Sequence, residues 1–334
     1  MAEENKSRAA PQHWARTCAP LIAIAAAVAT HAVFYGSFLL CPKDDKTCIR
    51  FDPADMLKGL NDRYVSDPNV YVGGAMWVLA SGTHLLVSLA ALLAAVHVIR
   101  EGIGGRVKGP RGAVTLALML AWAAALSLVP TAIYAGGTEA PAPRLLAGTV
   151  GGVLPHINTY NRLFDALGLT VGFMLAAAAC AAIRRDAAED TEGKALARRM
   201  RLLRTTLYAG AAALVVSVVR LSVMLNWGGS FLPAADTAAG KQVSTLVTGI
   251  VTALGIYYTI LLAAIYLPAA MVLRSRALSL ADVNGQPPEK QDEWLKARGL
   301  ALTYTEYVPR LVAIIAPLLA APVGSLVKAV LNVT

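Results

Sequence analysis

Residues 203–226 read LRTTLYAGAAALVVSVVRLSVMLN. From Leu207 to Asn226 the only charged side chain is Arg220. The stretch lacks the apolar–polar alternation of a barrel strand. In hydrocarbon every backbone N–H and C=O must be satisfied within the segment, which a helix does and an isolated strand does not. About 20 helical residues cross the roughly 30 Å apolar layer of a bilayer, so this run predicts a transmembrane helix.

Working outward, five more runs have the same character, near 19–41, 70–98, 113–135, 163–183 and 243–273. A seventh, at 308–331, is apolar but carries Pro309, Pro317 and Pro322, so spanning, re-entry and an interfacial position all fit it. The fold expected is an all-α, polytopic transmembrane helical bundle over 1–274, a polar linker at 275–307 and an apolar C-terminal helix at 308–334. Composition agrees. Of 334 residues, 56% are apolar and 15% charged, against roughly 25% charged in an ordinary soluble domain. A mean hydropathy of +0.55 excludes a soluble globular protein, which could not cover its surface.

The net charge of +9 raises nucleic acid as a partner, but basic residues that gather between spans are read better as orientation signals facing anionic lipid. Lys and Arg number 19 in the N-terminal segment, at 100–111, at 184–204 and at 274–298, against 8 in the connections on the other side. The N-terminus is therefore expected in the cytoplasm. Heavy use of Ala and Arg suggests a bacterial inner membrane. The run at 19–41 follows Lys6, Arg8 and Arg16 and is too long for a cleavable signal, so it reads as an uncleaved span. Cys41 and Cys48 fall on the outer side, where a disulfide can form; Cys18 and Cys180 fall at cytoplasmic ends as free thiols.

Ionisable residues inside spans are costly, and they are the first functional candidates. Arg220 and Asp165 are expected at similar depth near the outer face. With Tyr134, Asn226 and the polar run 156–162 they could line an outer vestibule, or form a structural ion pair. His31 and His84 count to mid-membrane on adjacent antiparallel helices, the geometry of bis-imidazole haem b ligation. A histidine hydrogen-bonded across a helix contact is the plainer account. Thr248, Thr252 and Thr259 share a stripe suited to a polar pathway, or to hydroxyls bonded to their own helix. Ala313, Ala316, Ala320 and Gly324 make a small-residue face at 308–331 that permits close packing within the chain or between copies in a homo-oligomer.

The sequence holds no HExxH, no phosphate-binding glycine loop and no GxSxG. No set of metal ligands stands out, and an enzyme is not the favoured reading. The first functional reading is a transport pathway or pore. The second is a non-enzymatic membrane subunit, or an effector that perturbs membranes, acting through a soluble or membrane partner. The third is a b-type haem protein.

Overall fold

The computed structural model describes residues 68–103, 157–183, 193–230, 238–300 and 304–322. Among them are six helices and no strand. They are α1 (Pro68–Ile103), α2 (Ile157–Ala182), α3 (Lys194–Ser230), α4 (Ala238–Val283), α5 (Pro288–Ala297) and α6 (Tyr304–Ala320). The first four are long and apolar enough to cross a bilayer, as a multi-pass membrane protein requires. The spans expected near 19–41 and 113–135 lie outside the described residues, as do the outer loop with Cys41 and Cys48, and Tyr134 and His31.

α3 is the centre of the bundle and packs against α1, α2, α4 and α6. Its most apolar window is 61% buried, against 33% in each of the other three spans. α1 runs antiparallel to it in one continuous register. At one end Gly73 and Gly74 face Trp227, and at mid-length His84 meets Ser217. At the other end Glu101 pairs with Arg198. α1 and α2 are parallel, with Gly102 of α1 against Ala181 of α2. α4 is parallel to both: near its C-terminal end Arg276 donates to the Ile183 carbonyl. α6 returns antiparallel to α4, and Gly255 meets the backbone of Pro317 and Leu318. The basic ends of α1, α3 and α4 therefore gather at one end of the bundle, as the charge count predicted.

All four long helices overrun their expected spans, α3 and α4 the most. α4 continues ten residues past 273 because Leu273, Ala277 and Ala281 prolong its buried stripe. It stops at Gly285 (φ +67), where the Gly285 and Gln286 amides cap the carbonyls of Asp282 and Ala281. α3 begins at Lys194, nine residues before the expected 203, so its basic first turns are helical. α5, within the expected polar linker, starts on Pro288 and buries Leu295. It is tied to α4 by Gln291 Nε2 donating to Asp282 Oδ1 (2.6 Å).

The small-residue side of α6 is used inside the chain: Ala313 and Ala320 are buried, while Leu311, Val312 and Leu319 are exposed. α1 makes the bilayer reading concrete. Leu79, Leu86 and Leu93 are 65%, 69% and 72% exposed along one stripe. The opposite stripe, turned inward, carries Ser81, His84 and Ser88. A water-soluble helix arranges these faces the other way round.

Candidate functional site: a polar seam between α1 and α3

The inward stripe of α1 has helical spacing. Trp77, Ser81, His84 and Ser88 stand at 0, +4, +7 and +11, within a sector about 60° wide at 100° per residue. All four are buried. Facing them, α3 contributes Ser217 and Arg220, also buried. Their helix places these polar groups in the interior because its outward positions must meet lipid.

His84 is 2% exposed. Its Nε2 lies 3.1 Å from Ser217 Oγ, and that hydroxyl also donates to the Ala213 carbonyl at 2.9 Å. A hydroxyl has one proton. With that proton on the carbonyl, Ser217 Oγ accepts from Nε2–H, which makes Nδ1 the ring nitrogen with a free lone pair. Nδ1 is buried and makes no hydrogen bond among the described residues. Neither do Ser81 Oγ, Ser88 Oγ and Trp77 Nε1. Helical hydroxyls commonly bond the carbonyl four residues back, as Thr83 and Thr170 do here. Ser81 and Ser88 do not.

Toward the Trp227 end of the seam, one turn beyond Ser217, Arg220 is held by one face of α2. It donates through Nη1 to Asn161 Oδ1 (3.0 Å) and through Nη2 to Asp165 Oδ1 (3.2 Å). Asn161 and Asp165 are one turn apart, so a single helix turn presents both acceptors. The guanidinium is 4% exposed and the carboxylate 50%, so the pair joins the interior to the rim. Nε of Arg220 is buried without a partner among the described residues. Between acceptors and histidine stands Phe164: Arg220 Cζ is 4.8 Å from its ring centre, and His84 stacks on it at 5.5 Å and 23°. Trp77 and Trp227 stack at 5.7 Å above this level, where Gly73 and Gly74 leave room for the Trp227 indole.

Of the residues marked from sequence, Arg220 and His84 meet on one phenyl ring, and Asp165 joins them through the guanidinium. His31, the expected partner of His84, lies outside the described residues, as does Tyr134; Ser217 takes the Nε2 contact. Thr248 and Thr252 do not join the site. Both face outward, and Thr248 donates to the Ser244 carbonyl at 2.9 Å. Thr259, on the same helix, is the one of the three whose hydroxyl is buried. Phe164, Ser88 and the tryptophan pair were not anticipated. The 0, +4, +7, +11 spacing of Trp77, Ser81, His84 and Ser88 was the available signal. Among the described residues no cluster of three metal-binding side chains occurs. No protein family, curated protein or solved structure matches this chain, and the seam's own geometry carries the functional reading.

Proposed function

We propose that this chain forms, or contributes to, a transport pathway across the membrane, and that the pathway follows the seam between α1 and α3. One observation carries the reading: a line of buried polar atoms without partners among the described residues (Trp77 Nε1, Ser81 Oγ, His84 Nδ1, Ser88 Oγ, Arg220 Nε) beside the Arg220–Asp165 pair. Leaving a buried donor or acceptor unmet costs about 1–3 kcal/mol each. A helix pair meant only to hold a bundle together would be more stable with Ala or Leu at these positions. Polar groups aligned along the membrane normal instead suit a species that passes and supplies the missing hydrogen bonds in transit.

The orientation proposed puts the basic ends of α1, α3 and α4 in the cytoplasm of a bacterial cell, so Arg220 and the tryptophan pair lie toward the outside. The reading is tested by osmotic swelling of vesicles holding the purified protein, challenged with monovalent salts, amino acids and polyols. At least one solute is expected to enter faster than into protein-free vesicles. Arg220→Ala should cut that rate tenfold or more with the inserted amount unchanged, and Leu86→Ala on the outward stripe should leave it alone. If no solute enters above leakage, or Arg220→Ala transports normally, this pathway is wrong.

A further inference from the structure

We propose that the seam binds a small monovalent anion together with a proton carried on Nδ1 of His84, and that the two cross as a neutral pair. The inference rests on the transport reading above and names its substrate class. It comes from the inventory of unmet atoms. Trp77 Nε1 and Arg220 Nε are donors only; Ser81 and Ser88 offer hydroxyls; the one obligate acceptor is Nδ1 of neutral His84. Such a set suits an anion. A metal cation would need several oxygen ligands, and the Asp165 carboxylate at this level is already committed to Arg220.

Charge balance ties the proton to the anion. With His84 neutral, Arg220 and Asp165 cancel, and an added anion would bring an uncompensated charge into a low-dielectric interior. A proton taken from water forms the Nδ1–H bond and leaves an imidazolium that donates from both nitrogens. The site then has a net charge of one positive unit, which one monovalent anion cancels. A divalent anion would overshoot. On the far side the anion leaves and Nδ1 returns its proton to water, so no oxidant or co-reactant is needed. The charged and titratable groups at this level, among the described residues, are Arg220 from α3, Asp165 from α2 and the neighbouring Tyr257 and Tyr258 from α4, with His84 alone from α1. Ser81 lies level with Arg220 in the antiparallel register and Ser88 one turn deeper than His84. Hydroxyls therefore flank the imidazole on both sides along the pathway.

The test uses the full chain in vesicles containing a pH-reporting dye, with potassium equal on both sides and valinomycin present to clamp the potential. An inward gradient of sodium chloride or sodium nitrate is expected to acidify the lumen, and omitting valinomycin should leave the rate unchanged. Sodium sulfate should have no effect. His84→Gln keeps a side-chain N–H for Ser217 but cannot take the proton, and should slow acidification at least tenfold. Trp77→Phe keeps a ring on Trp227 but loses one N–H, and should raise the half-saturating anion concentration several-fold. Equal acidification by His84→Gln and the parent overturns the proposal. If His84→Gln does not fold, an unchanged half-saturation in Trp77→Phe does so. Arg220-dependent swelling by other solutes, with no acidification by either anion, sinks the anion assignment and leaves the pathway standing. No swelling with any solute, together with no acidification by either anion, removes both.

Discussion

The Arg220 guanidinium is 4% exposed and the Asp165 carboxylate 50%, so breaking their pair from one side or the other leaves different remnants. Asp165→Asn strands a buried positive charge that keeps only neutral acceptors, Asn161 among them, and should lower stability by about 2–4 kcal/mol. Arg220→Met fills the interior with an apolar chain, and the stranded carboxylate can turn to water or headgroups; about 1 kcal/mol or less is expected. Unfolding in mild detergent compares the two, and equal losses would mean that the carboxylate is as enclosed as the guanidinium. This pair was legible in the sequence. Counting residues from the ends of two spans gives depth, and depth alone brought Arg220 and Asp165 together. Rotation about the helix axis was harder to read. Thr248 and Thr252 share a stripe, but a stripe of Thr hydroxyls that bond their own helix can face lipid as well as protein, and these face outward.

Elements meet here through small residues, since lipid tails are as apolar as leucine and close packing has to supply the attraction. A Cβ on Gly102 would come within 2.6 Å of the Ala181 carbonyl oxygen, a backbone atom that cannot swing aside. Gly102→Ala should therefore force α1 and α2 apart at the basic end and cost about 1–3 kcal/mol. Gly168 and Gly172 of α2 have nothing within 4 Å of the same point. Alanine there should be neutral, or stabilising by up to about 1 kcal/mol through helix propensity. Melting of the three variants in one detergent checks the contrast, and a harmless Gly102→Ala would refute the close approach. The helices themselves were readable from apolar runs. Their ends were not, because hydropathy reports where lipid stops while hydrogen bonding and burial decide where a helix stops. α4 runs on to Val283 on the strength of Leu273, Ala277 and Ala281.

At the scale of the whole molecule, the two ends of the bundle differ in charge, and this makes orientation measurable. Lys241 and Glu293 are both exposed, near opposite ends of the bundle. In a background lacking the native cysteines, Lys241→Cys should react with a membrane-impermeant maleimide on intact cells. Glu293→Cys should react only after permeabilisation, and the reverse pattern would invert the assignment. A final consequence follows from the way α1 lies along α3. Three of its contacts mark the two ends and the middle: Trp227 against Gly73 and Gly74, Arg198 with Glu101, and Ser217 against His84. From His84 the first lies about 15 Å away and the second about 26 Å, at 1.5 Å per residue. His84 thus divides α1 into a short and a long arm. Tipping α1 about His84 by enough to part the tryptophan end by roughly 3 Å swings the arginine end by roughly 5 Å the opposite way. The two mouths of the seam would then exclude one another mechanically, and the pivot would be the atom group that takes up the proton.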